Sequence, residues 1–211
     1  DVLNRLDIIA IPLIPSREKD GYGLNIKMVD KAINSGIKLI ITVDNGVSST
    51  DSINYAHKHN IDLIITDHHK INNPLDNIYS LIHPETTPIN SPYRYLAGVG
   101  LAYVVAEQLS KRLGKENSLR ISRDLLCIGT IADMACLKGA NRIWLKKWMK
   151  DINKTDSKGL SKLIIKAKVI SKYISSEDIG YKIAPRINSI GRIGDTTKII
   201  DLFLANDEKE I

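Results

Sequence analysis

Two runs, "IKLIITV" (37–43) and "DLIIT" (62–66), constrain this chain more than any other feature. A strand with one wet face alternates apolar and polar residues, whereas these are apolar or β-branched almost throughout. Such strands must be covered on both faces, the condition of a parallel sheet whose crossovers are helices. The segment between them supplies the crossover: Ser48 or Ser49 can cap a helix that runs through His59. "DIIAIPLI" (7–14) and "YSLIH" (79–83) extend the expectation to four strands, near 7–13, 37–43, 62–66 and 79–83. A further helix is expected from its cap at Asn25 to about Ser35, with Gly36 as the stop.

From Gly98 the periodicity turns helical. Apolar residues recur at helical spacing in 100–114, 118–137, 140–150, 157–170, 175–184 and 195–207. The predicted fold class is α/β: a parallel sheet flanked by helices, followed by a mainly helical subdomain. The α/β part is expected over 1–95 and the helical part over 96–211, as two parts of one domain. No internal repeat, low-complexity stretch or long linker interrupts them.

The 211 residues, 43% hydrophobic, can bury a substantial core. No run of about eighteen apolar residues and no basic-apolar-small leader is present, so neither a membrane span nor a signal peptide is expected. Cys127 and Cys136 lie in apolar surroundings without CxxC spacing and read as reduced core thiols of a cytoplasmic protein. The net charge of +6 favours polyanionic partners weakly, and much of it comes from lysines between Lys138 and Lys172, which fit the solvated faces of helices equally well. With 1 Phe, 2 Trp and 8 Tyr, no base-stacking platform is advertised.

In a parallel sheet the carboxyl ends of the strands share one edge, where ligands bind. Asp44 follows "IKLIITV" directly and Asp67 follows "DLIIT" directly, joined by His68 and His69. Carboxylate oxygens with neutral imidazole nitrogens, and no thiolate, suit Mn²⁺ or Mg²⁺. The competing reading is that both acids cap the next helices. Asp133, within the apolar run "GTIADMACL" (129–137), must pair with a base or coordinate a cation.

"ITVDNGVSS", "IITDHHK" and "GTIADMACL", in this order, resemble successive motifs of the DHH phosphoesterase superfamily. "IPSREKDGYGLN" (14–25), "LAGVGLAYVVAEQL" (96–109) and "IAPRINSIGRIGD" (183–195) narrow the resemblance to its bacterial exonucleases specific for single-stranded DNA. The resemblance implies metal ligation by Asp44, Asp67, His68, His69 and Asp133, with His69 and Asp133 also catalytic. It implies two Mn²⁺ or Mg²⁺ ions and 5′-to-3′ hydrolysis of single-stranded DNA in repair and recombination. Implied partners are that DNA, a single-strand-binding protein and a helicase, with the enzyme a monomer. It also implies a first motif, a strand and paired aspartates, before residue 1 and a second domain after Ile211, so the chain alone is expected to be a weak catalyst.

Other activities of the superfamily, on short oligonucleotides or cyclic dinucleotides, remain alternatives, as does a silent replication or repair scaffold. Gly98 and Gly100 fit either phosphate binding at a helix start or a tightly packed turn. Arg17, Arg186, Asn188 and Arg192 are candidate phosphate donors, or else solvated loop residues. His83 is expected at the end of the fourth strand, near the cleft, and His57 and His59 on a helix surface.

Overall fold

Leu63 and Ile65, both fully buried, mark the centre of the sheet. The computed structural model describes residues 2–15, 21–115, 119–193, 197–205 and 207. Its strands β1 (Leu39–Val43), β2 (Asp62–Thr66) and β3 (Ser80–Ile82) pair in parallel in the order β1-β2-β3. Val43 pairs with Thr66, and Thr66 with Ile82, so all three strands end at one level.

After the short α1 (Val2–Arg5), helices α2 (Ile26–Asn34) and α3 (Thr50–Lys58) supply Val29, Ala32, Ile53 and Ala56 to the core around Leu63 and Ile65. Each such fully buried Val, Leu or Ile side chain contributes about 1.5–3 kcal/mol. The cap of α2 is the expected one: the Asn25 side chain accepts from Met28 N–H at 3.1 Å, and Gly36 follows the helix at φ +69°. Asn25 leaves the backbone extended and satisfies one orphan donor, while Gly36 takes the left-handed turn without a Cβ penalty.

The strand expected over 7–13 does not form. Residues 8–15 are irregular, and Ile9 is 95% exposed. Apolar β-branched content creates a preference only, and a strand needs a neighbour for its backbone groups.

The remaining helices are α4 (Gly98–Arg112), α5 (Arg120–Ala132), α6 (Gly139–Trp148), α7 (Lys158–Lys166), α8 (Ala184–Ile193) and α9 (Thr197–Leu204). α4 packs against β1 and β2 and on its other side against α5. Cys127 and Ile128 of α5 meet Leu145, Leu160, Ile179 and Ile183 in a second core. Cys127 is thus the expected core thiol, but Cys136 is exposed, because the chain turns out of α5 before reaching it.

The stretch around "APRINSIGRI" is helical instead of a loop. A π-type turn over Asp178–Ile183 precedes α8, and Pro185 occupies the second position of that helix. The run is helical from Ser176 onward, so Pro185 lies inside it, and the wider π-type turn just before it is where the missing N–H is absorbed. Trp144 and Trp148 stack at 6.0 Å and both meet Tyr103, leaving Lys146 and Lys147 on the solvated face.

Asp124 lies on the buried face of α5, its Oδ2 without a hydrogen-bond partner among the described residues. Burial pushes its pKa up to about 6, against the pull of the Thr155 hydroxyl and Arg120. The folded state therefore holds this proton more tightly than the unfolded chain. The associated stability is complete below about pH 4 and is lost as the pH rises through about 6. Asp124→Asn should abolish that loss, raising stability near neutral pH by on the order of 2–3 kcal/mol with little change near pH 4. Urea denaturation at both pH values measures it; a variant less stable than the parent at neutral pH would contradict the burial argument.

Candidate metal centre

Asp44 and Asp67 leave paired strands at the same edge, as their positions in the sequence require. Asp44 N–H extends the ladder by donating to Thr66 O at 2.9 Å, and the residue then turns at φ +64°. The two residues after it hold that turn. Asn45 accepts from Leu24 N–H at 2.9 Å and donates to Val43 O at 2.8 Å. Gly46 sits at φ +121°, a conformation that other residues rarely adopt.

Asp67 is 1% exposed, and both its oxygens accept from N–H donors. Oδ1 takes His68 N–H at 2.8 Å and His69 N–H at 3.2 Å, and lies 2.7 Å from His69 Nδ1. Oδ2 takes Val47 N–H at 3.1 Å. Burial alone would raise this carboxyl, yet the His69 side chain and the main-chain N–H groups of Val47, His69 and His68 hold it below the usual carboxylate range. A carboxylate so engaged makes His69 Nδ1 the protonated nitrogen and frees Nε2 for a ligand. No helix follows Asp67, so the capping alternative does not apply to it.

The His68 ring turns the other way. Its Nε2 lies 2.9 Å from Asp44 Oδ1 and 3.8 Å from Asp133 Oδ2. Nε2 and Oδ1 are both buried, and among the described residues neither has a hydrogen-bond partner beyond this close mutual approach. Two buried lone-pair atoms converging on one point are what a cation requires. Ligand atoms of Asp44, His68 and His69 lie within 4.8 Å of one another. The residues fit a divalent ion.

Asp133 reaches this point from the helical half. It is the C-cap of α5, not a residue inside a longer helix as its apolar neighbours suggest. Met134 N–H bonds Ile131 O at 3.0 Å, and Ala135 N–H bonds Thr130 O at 3.2 Å, with Met134 at φ +53°. This is a Schellman closure with methionine where glycine is usual. A carboxylate at the negative end of a helix needs a counter-charge. Burial pushes Asp133 up, His68 pulls it down, and Asp44 pushes it up again. His68 in turn is raised above the ordinary histidine value, chiefly by Asp44, against an opposing effect of burial.

Gly98, expected to meet phosphate or a tight turn, stands behind Asp44. A Cβ there would lie 2.3 Å from Asp44 Oδ1 and 2.5 Å from its Cβ. The glycine lets the first turn of α4 approach that carboxylate. Gly100 is buried against Leu96 and is a packing residue. Arg186 and Asn188 are exposed on α8, which packs on α5, and the Arg186 guanidinium donates to Lys182 O. Arg17 and the side chain of Arg192 lie outside the described residues. Sequence reading missed Gly98 as the backing of Asp44; its only trace there was a glycine at a helix start.

Two outcomes follow from this geometry. Protons compete with metal for His68 Nε2, and Asp44 strengthens the proton's hold, so Mn²⁺ affinity should fall as the pH drops, beginning above the ordinary histidine value of about 6.5. Below that pKa the loss should approach about tenfold per pH unit for one displaced proton. Calorimetric Mn²⁺ titration across pH reads it; a pH-independent affinity would place the ion elsewhere. Gly98→Ala should displace Asp44 and weaken Mn²⁺ binding, at a cost in stability of about 1–3 kcal/mol from overpacking. Unchanged affinity and stability would show that α4 can retreat freely.

A family model described as "DHH family, N-terminal domain" matches residues 4–130. The chain is 34% identical over 197 residues to the single-stranded-DNA-specific exonuclease RecJ of Bacillus subtilis (strain 168), with 93% of this chain and 24% of that protein covered. It is 32% identical over 206 residues to the RecJ of Dickeya dadantii (strain 3937), covering 92% of this chain and 36% of that one. A crystal structure of exonuclease RecJ bound to manganese superposes with a TM-score of 0.87 at 29% identity, over 99% of this chain and 52% of that chain. The chain therefore spans well under half the length of these two relatives. All three strands, α2 to α4 and nearly all of α5 fall within the matched residues, with Asp44, Asp67, His68 and His69 among them: the chain belongs to the DHH family.

Proposed function

We propose that this chain is part of a metal-dependent nuclease that hydrolyses phosphodiester bonds in single-stranded DNA, proceeding 5′ to 3′, in DNA repair and recombination. The observation that carries the reading is the convergence of Asp44 Oδ1 and His68 Nε2, both buried and 2.9 Å apart with no other hydrogen-bond partner among the described residues, with Asp133 beside them. The likeness to RecJ proteins, one of them crystallised with manganese, supports the substrate and the ion.

Asp44, His68, His69 and Asp133 would hold Mn²⁺ or Mg²⁺. When bound, such an ion lowers the pKa of a water and neutralises charge that builds on phosphoryl oxygens. Asp67 keeps His69 Nδ1 protonated and fixes its ring, so that Nε2 faces the site in the state a ligand needs. Asp133 and Asp44 place two carboxylates around His68, which leaves the centre anionic whenever that imidazole is neutral. An anionic centre repels a bare phosphodiester, so DNA is held by basic residues away from it and admitted to the centre only with a cation. Arg186, Asn188, Arg17 and Arg192 are the proposed phosphate contacts.

The decisive comparison uses the protein that contains this chain, with Mn²⁺ and 5′-labelled single-stranded DNA. Asp133→Ala should reduce cleavage more than about 100-fold, the scale of losing one group that stabilises developing charge. DNA affinity should stay within about twofold, because it rests on phosphate contacts made elsewhere. A folded and fully active Asp133→Ala protein would remove Asp133 from the site. Equal cleavage of duplex DNA, or turnover confined to dinucleotides, would move the substrate to another member of the superfamily.

A further inference from the structure

We propose that His83 is a positioning residue for the metal centre, a strut that fixes the level of His69 through its main-chain carbonyl. The proposal rests on the reading of this edge as a metal site. His83 follows β3 directly and is 2% exposed, and its ring spans two elements. On one side Nδ1 accepts Glu85 N–H at 3.1 Å. On the other, Nε2 lies 2.8 Å from His69 O.

Both partners are main-chain groups with fixed roles. An amide N–H only donates, so Nδ1 must carry the lone pair; a carbonyl only accepts, so Nε2 must carry the proton. The ring is therefore neutral and held in one tautomer. Any other state loses one of the two bonds inside a buried site, where an unmade hydrogen bond is costly.

The base of the strut is itself braced. Arg94 Nη1 donates to the carbonyls of Pro84 (3.3 Å), Glu85 (3.1 Å) and Thr87 (3.1 Å). Thr86 Oγ1 donates to His83 O and Thr87 Oγ1 to Pro84 O, each at 2.7 Å. The turn after β3 is thus rigid. His69 is consequently held at two points, its ring by Asp67 and its carbonyl by His83, while His69 Nε2 is left for a ligand. Two anchors matter because His69 is itself exposed on the loop between β2 and β3. Groups that orient a metal ligand from behind typically change affinity by about 10- to 100-fold when removed.

The competing reading is that His83 merely caps the short turn at Pro84–Thr86 through Nδ1. Three measurements on the protein that contains this chain separate the two. His83→Leu removes both bonds and should lower Mn²⁺ affinity by about 10- to 100-fold. His83→Gln keeps an amide N–H long enough to reach His69 O and should restore affinity to within about threefold of the parent. A long-range ¹H–¹⁵N spectrum of the parent at neutral pH should show His83 as the Nε2–H tautomer alone.

A cap without a positioning role predicts otherwise: His83→Leu would lower the melting temperature while the folded fraction binds Mn²⁺ as the parent does. That result overturns the proposal and spares the metal centre. An otherwise unaltered whole protein that binds no Mn²⁺ overturns both. If His83→Leu does not fold, the Gln variant and the spectrum decide: weak binding by the Gln variant, or an Nδ1–H tautomer in the parent, sinks the strut.

Discussion

The Asp67 carboxylate is the contact on which the candidate site depends. Three main-chain N–H groups, from Val47, His68 and His69, and one imidazole nitrogen converge on its two oxygens. The carboxyl edge of a parallel sheet has the difficulty of a helix end: chains leaving it carry donors that no ladder satisfies. A helix there could be capped by serine, but the loop after β2 has no helix to cap. A single buried anion does the work instead. It also ties that loop to the β1–α3 connection through Val47, so Asp44 and the two histidines are referenced to one group. Charge-assisted bonds of this kind are roughly twice as strong as neutral ones, which is how a carboxylate can remain ionised at this depth.

How much of this was legible follows from which interactions are local. β1, β2, the Asn25 cap and the Gly36 stop are set by neighbouring residues, and the sequence shows them within a residue or two. That Asp44 and Asp67 share an edge follows from parallel pairing alone. Residues 7–13 carry the same apolar composition as β1 yet stay irregular, because pairing is a property of neighbours in space. "APRINSIGRI" falls between two expected helices and reads as a loop, whereas the π-type turn before it carries the helix through Pro185. Cys136 looked buried because its neighbours are apolar; two residues earlier α5 has already closed with a left-handed methionine.

Long-range geometry hid the rest. Nothing in "LAGVG" announces that Gly98 approaches Asp44 within the space of one Cβ. Nothing near His83 announces that both of its nitrogens are committed to main-chain partners, although its place after an apolar strand did put it near the cleft. Asp67 was read as a ligand from its company. In the fold its oxygens serve N–H groups, and the buried atoms that converge on each other with no further hydrogen-bond partner among the described residues belong to Asp44 and His68.

The arrangement around His68 carries an electrostatic consequence. Asp44 and Asp133 both approach one imidazole nitrogen, at 2.9 and 3.8 Å. Two carboxylates so placed repel each other, and both raise the proton affinity of the ring between them. A proton on His68 and a divalent cation are therefore alternative answers to the same repulsion, and they compete for the same nitrogen. The cation brings one more positive charge than the proton it displaces, which is the charge an incoming phosphodiester would need to find there. Fixed supports keep that exchange from becoming a collapse of the site: α4 behind Asp44 at Gly98, the Schellman closure behind Asp133, and Asp67 with His83 behind His69. Because each support reaches the centre through backbone or through a buried side chain, the ligand atoms keep their places while only the charge between them changes.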